Sequence, residues 1–320
     1  MNRSTKIWLI IAAFLVLLGL ITFAVALSAY NWDFTKLSTV NYEINTQKIS
    51  DSFTDISIKT DTSNIVFVPT DDRICKVVCY EEENAKHSVN VQNGTLTIKL
   101  VNKKKWYEHI GINFGEPNIT VYLPNTEYNS LYINESTGDI EIPKSFIFKE
   151  INISTSTGNV KNYASAIDNV KIKTSTGDII IDNMSAGTLE LSVSTGDVVG
   201  KFITCNGDIK INVSTGNTNL EKIKCKSVIS NGSTGNIFLK DVIAEEKFSI
   251  KRDTGYVKFE KCDASKIYVT TDTGNVTGSL LSDKVFIIET DTGNINVPKT
   301  SVGGRCEITT DTGDIKISIK

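Results

Sequence analysis

The seven residues ETDTGNI occupy positions 289–295, and near copies flank them: TTDTGNV at 270–276 and TTDTGDI at 309–315. Working outward, the same Ser/Asp-Thr-Gly triplet places a glycine at 138, 158, 177, 196, 216, 235, 255, 274, 293 and 313. The step between copies is always 19 or 20 residues. Thr precedes the glycine in all ten copies, and Asp or Asn follows it in nine, Tyr256 being the exception. A fixed period of this length is the mark of a repeat architecture, and it decides the fold before any single element is read.

Aligned on the glycine, the apolar residues fall at fixed offsets. Seven residues before it stand Leu131, Ile151, Val170, Leu189, Ile209, Val228, Phe248, Ile267, Phe286 and Cys306. Five before and two after are almost always Ile, Val or Leu, with Ser230 and Thr218 the respective exceptions, and four after is often apolar. Offsets of −7, −5, +2 and +4 alternate with period two on both sides of the triplet, so each repeat is two short half-buried strands meeting at a bend. Glycine supplies a positive φ there, and Asp, Asn or Ser oxygens bond nearby backbone N–H groups. The spacing allows a type II turn or a type I turn closed by a glycine bulge.

A hairpin meander has no need of a constant period, whereas stacked coils do, because equivalent residues then lie about 4.8 Å above one another. A single coil buries too few aliphatic side chains to offset the ordering of twenty residues, so the coils must stack to fold. The predicted fold is all-β, a β-solenoid of ten regular 19–20-residue coils over 131–320. The template extends upstream in DISIKTDTSNIVFVP, where Ser63 takes the glycine position and Ile56, Ile58, Ile65 and Phe67 take the apolar ones. Between there and residue 130, HSVNV and LTIKL flank Asn93-Gly94, a hairpin signal. Residues 53–130 read as an elaborated N-terminal cap and 31–52 as a stalk.

The start of the chain is of another kind. Ile7 to Tyr30 carries no charge, long enough to cross a hydrocarbon layer of about 30 Å. Arg3 and Lys6 precede it and Asp33 follows, so the positive-inside tendency puts residues 1–6 in the cytoplasm and the remainder outside. A cleaved signal peptide ending near Ala24-Val25-Ala26 is the competing reading, though its apolar region is long for one. No lipid-acceptor Cys follows the segment, and the final DIKISIK carries no sorting signal.

The net charge of −3 and 40% apolar content do not suggest nucleic-acid binding or disorder. Six cysteines, at 75, 79, 205, 225, 262 and 306, include no CxxC, and His87 and His109 are the only imidazoles. The sequence therefore gives no catalytic, cofactor or metal residues, and the cysteines read as small core residues. Cys205 and Cys225 each lie nine residues after a repeat glycine, so they should stack on neighbouring coils, either bonded or as two thiols. The residue before Thr is Ser in six copies and Asp253, Asp272, Asp291 and Asp311 in the last four. Those carboxylates either accept N–H bonds from their own turns or share a divalent cation such as Ca²⁺. NKKKWYEH, at 102–109, is a solvated loop or a contact for anionic lipid or wall polymer, and YEEEN, at 80–84, reads as an exposed turn.

The apolar N-terminal segment, FTDISIKTDTSNIVF, LTIKL, ITVYLP and the serial TSTGD and TDTGN turns together resemble the bacterial putative-adhesin β-strand-repeat family. The resemblance covers about residues 50–320 and implies an extracytoplasmic β-solenoid of unknown function, with no catalytic residues to carry over. The function expected is a non-enzymatic, membrane-anchored module of the cell envelope for binding, adhesion or scaffolding, with a simple spacer rod as the plainest version. Its partners would be the membrane, through the N-terminal helix, and an envelope polymer or membrane protein. A sensor ectodomain for an envelope-stress membrane partner is an alternative. A polysaccharide-active enzyme is another, but the acidic residues recur in the turn ladder rather than converging once.

Overall fold

The computed structural model describes residues 2–34, 38, 40–105 and 115–320. It consists of one helix and a single parallel-dominated sheet wound into coils. Helix α1 (Arg3–Ala29) is long and apolar enough to cross a membrane, and none of its most apolar stretch is buried in the protein. In hydrocarbon a helix is the form that satisfies every backbone group within one segment.

Successive coils pair in parallel at the expected offsets. Ile151 lies between Leu131 and Val170, and Val160 lies between Ile140 and Ile179. The inward residues at −7, −5 and +2 are buried throughout, apart from those of the Gly293 coil, and form one continuous core. The central coils turn at three places. The first is the glycine. The second falls six residues later, where Asn183, Phe202, Lys222, Asp241 and Lys261 all adopt left-handed φ of 51–54°. The third is a break in register near Gly187 and its equivalents, before the strand that leads to the next triplet. Sequence periodicity revealed the first of these corners and missed the other two.

The glycine corner is not one of the two expected turns. Nine of the ten ladder glycines have φ between 131° and 159°, far from the roughly +80° of a type II turn. The chain bends there without reversing, and the strands on both sides remain in the ladder. Glycine is needed because the coils approach closely: a Cβ on Gly158 would lie 1.9 Å from the carbonyl oxygen of Gly138. Gly274 is outside the group with positive φ, yet its Cβ would meet the Gly255 oxygen at 1.9 Å.

The Asp or Asn after each glycine also works between coils. Asp139 Oδ1 accepts the backbone N–H of Asn159 at 2.7 Å, Asn159 Oδ1 that of Asp178, Asp178 Oδ1 that of Asp197, and Asp197 Oδ1 that of Asn217. The rungs continue through Asn236 to the N–H of Tyr256. Asp253, Asp272, Asp291 and Asp311, by contrast, point outward and are exposed. All six cysteines are buried and free, Cys205 and Cys225 included.

The N-terminal end is closed by the cap. Strand β1 (Tyr42–Ile49) lies in the segment expected as a stalk, and it pairs along its length with β4 (Cys75–Glu82), so paired structure begins at Tyr42. Strands β2 (Asp55–Lys59) and β3 (Asn64–Thr70) stack on the first glycine coil, with Ile56 beside Leu131 and Ile65 beside Ile140, as Ser63 in the glycine position required. Strand β5 (Ala85–Gln92) forms the Asn93-Gly94 hairpin with β6 (Thr95–Asn102), which covers β2; β7 (Asn118–Pro124) covers β3 and pairs antiparallel with β4.

The C-terminal end departs from serial order. Cys306 of the last coil pairs with Ile267 on one side and Phe286 on the other, so the Gly313 coil lies between those of Gly274 and Gly293. The penultimate coil is thus outermost, which explains why Ile295, at an otherwise buried position, is 50% exposed.

Candidate functional site at the junction of cap and solenoid

Side chains that break the repeat gather where the cap meets the first coil. In β4, Cys75, Val77, Cys79 and Glu81 alternate inward, which buries Glu81 rather than leaving it in an exposed turn. That alternation was legible in the sequence, although the acidic run drew the reading toward a solvated turn. On β5, His87 faces the same interior. Glu81 Oε2 accepts the backbone N–H of His87 at 2.6 Å and lies 2.7 Å from its Nδ1. Glu81 Oε1 accepts an Asn45 amide N–H at 2.7 Å.

The other ring nitrogen, Nε2, is 2.8 Å from Thr60 Oγ1 at the end of β2. Beyond it, the buried Ser63 gives its backbone N–H to Glu135 Oε1 at 3.1 Å. Burial and the nearby Asp139 charge raise the Glu135 carboxyl to about 8, despite that N–H bond. Burial likewise pushes the Cys79 thiol up to about 12. A cleft of about 230 Å³ opens here, lined by Asp61, Ser63, Glu81, His87, Lys104 and Pro117 among others. A carboxylate, an imidazole and a hydroxyl in line can fix the ring's tautomer and orientation. Thr60 is buried, however, so it serves as a positioning group rather than an open nucleophile.

Of the charge runs, Lys104 forms an ion pair with Glu82, while Trp106, Tyr107 and His109 lie outside the described residues. Among the described residues, Cys79, Glu81 and His87 form the one group of three potential ligand side chains close together; the four outward aspartates are not part of it.

The exceptions to the apolar pattern meet at a second place. Arg252 is wholly buried, and Gly232, whose Cβ would overlap its guanidinium, opens the space for it. Its terminal nitrogens donate to Val213 O at 3.2 Å and Thr218 Oγ1 at 3.0 Å, whereas its Nε has no partner. Desolvation lowers the guanidinium to about 10. Thr218 thus breaks the apolar column where it accepts a hydrogen bond from a buried cation, and Ser230 breaks it in the coil beside Arg252.

Fold and site define a three-cornered parallel β-solenoid, capped at one end and preceded by an apolar helix. Residues 53–210 and 202–320 match the Toastrack DUF4097 family, and the chain belongs to it. No curated protein matches the sequence. Solved structures similar to the chain include a putative adhesin from Bacteroides fragilis, at 16% identity and TM-score 0.43, covering 87% of this chain and 97% of that one. A putative lipid binding protein from Parabacteroides distasonis matches at 15% identity and TM-score 0.49, covering 88% and 98%. A putative cell adhesion protein from Clostridium sporogenes matches at 11% identity and TM-score 0.23, covering 88% and 100%.

Proposed function

We propose that the chain is a non-enzymatic module that holds a rigid rod outside the membrane, where the flank of the rod binds or scaffolds components of the cell envelope. The observation that carries this reading is α1: its uncharged stretch from Ile7 onward, exposed apart from Leu27, is long enough to cross hydrocarbon and is not stable in water. Behind it, eleven stacked coils extend over roughly 50 Å at the spacing of paired strands. The basic residues Arg3 and Lys6, in the first turns of the helix ahead of its uncharged stretch, favour a cytoplasmic N-terminus and with it a rod outside.

Two measurements test the proposal. Protease added to cells stripped to the membrane should degrade the solenoid and spare a tag ahead of Lys6; the reverse pattern overturns the orientation. The full-length protein in detergent, presented with purified wall polymer, envelope lipid vesicles and solubilised membrane proteins, should retain at least one of them. Retention of none, or turnover of a polysaccharide, would replace binding with the spacer or enzyme reading.

A further inference from the structure

The strand pairing of the cap joins three residues whose types suit one ion. Cys79 and Glu81 are two apart on the inward face of β4, and His87 enters from β5. All three are buried, and one potential ligand atom from each lies within 4.8 Å of the others. We propose that Cys79, Glu81 and His87 form a binding site for a divalent cation of the zinc type. The absence of CxxC spacing argued against zinc at the level of sequence, but here a hairpin rather than a local loop supplies the donors.

The donor chemistry selects the class of ion. A thiolate, an imidazole and a carboxylate together suit Zn²⁺ and its analogue Co²⁺, whereas Mg²⁺ and Ca²⁺ prefer oxygen alone. Around a tetrahedral zinc, donor atoms stand roughly 3.3–3.7 Å apart, as bond lengths of about 2.0–2.3 Å require. The three ligand atoms lie within 4.8 Å of one another, and Glu81 Oε2 and His87 Nδ1, now 2.7 Å apart, separate to admit the ion. Charge also balances, since one thiolate and one carboxylate neutralise a dication among buried side chains.

A second observation is independent of the three donors. Metal-bound histidine and carboxylate ligands are held by outer hydrogen bonds, and both supports are in place. Thr60 Oγ1 lies 2.8 Å from His87 Nε2, and the Asn45 amide donates to Glu81 Oε1. On binding, the thiol proton of Cys79 is released to solvent and the ion takes His87 Nδ1. The ring proton then sits on Nε2, where Thr60 accepts it. Three protein donors leave a tetrahedral ion one position for water or a small anion, and the cleft lined by Glu81 and His87 gives access from the outside.

The test uses the full-length protein in detergent, stripped with chelator and titrated with Co²⁺. One equivalent should bind and give a thiolate-to-cobalt charge-transfer band in the near ultraviolet, which Zn²⁺ then removes. Cys79→Ala should lose the band, while Cys306→Ala, which alters a distant thiol, should keep it. Thr60→Val leaves all three ligands intact and should weaken Co²⁺ binding about tenfold or more through loss of the outer bond. No band at hundredfold excess of Co²⁺, a band that survives Cys79→Ala, or unchanged affinity in Thr60→Val would each overturn the site.

Discussion

At the scale of the residue, the two positions that spell the repeat act between coils and not within a turn. The period of 19–20 residues and the preference for Asp or Asn after glycine were both legible in the sequence. Their cause was not, because one-dimensional spacing cannot distinguish an oxygen that bonds its own turn from one that bonds the coil above. Tyr256 shows the difference. It receives a rung from Asn236 but has no side-chain acceptor in place to pass one to Asn275. Tyr256→Asn should restore that rung and stabilise the protein by about 1 kcal/mol, the net worth of one hydrogen bond. Urea titration checks it, and an unchanged or lower midpoint would show that the rungs are incidental. Gly274→Val should cost several kcal/mol by the same assay, because its Cβ would collide with the Gly255 carbonyl whatever its φ. Gly274→Ala should be nearly as harmful, which distinguishes close approach from the special strain of a β-branched residue.

At the scale of the element, exceptions in the pattern of one strand make sense only beside its neighbours. Thr218 and Gly232 look like unrelated lapses along the chain, and stacking brings both to Arg252. Removing that side chain and leaving the space, as in Arg252→Ala, should cost about 3 kcal/mol or more. Arg252→Met fills much of the volume without a desolvated charge and should cost less than about 1 kcal/mol. Thermal melting of the two variants measures the gap, and equal losses would mean the charge itself is required. The junction between cap and coil makes a pH-dependent contribution. Glu135 has an ordinary value of 4.5 when unfolded and about 8 when folded. Between those values the unfolded chain gives up a proton that the folded chain retains, so this group's stabilising effect is complete below 4.5 and lost as the pH rises through 8. Glu135→Gln keeps the acceptor for the Ser63 N–H and should flatten stability between pH 5 and 8; a slope equal to the parent's would place the effect elsewhere. The junction itself was poorly legible. Glu81 could be found from the alternation of β4, but its meeting with His87 and Thr60 depends on one antiparallel and one parallel pairing that no spacing announces.

At the scale of the whole molecule, the two ends of the stack are built differently. The cap closes one with antiparallel strands, and the other ends in the penultimate coil, with the C-terminal coil tucked beneath it. Periodicity identified ten coils but not their order, since copies this similar fit each other's places equally well. In a serial stack, loss of the last coil would merely expose its predecessor. Here a chain ending at Pro298 should lose the inner coil and with it the support of the outer one, so hydrogen exchange should quicken across 284–296 as well as along the Gly274 coil. Protection of 284–296 in that truncation would mean the outer coil can move down one place. The crossed order also imposes a sequence in time. A chain emerging N-terminus first can add each coil to the one before it through Gly274. The next coil then has no final seat until residues 304–319 arrive beneath it. The last step of folding therefore waits for residues 304–319 to be made, and the far end of the rod is set only once they have taken their place.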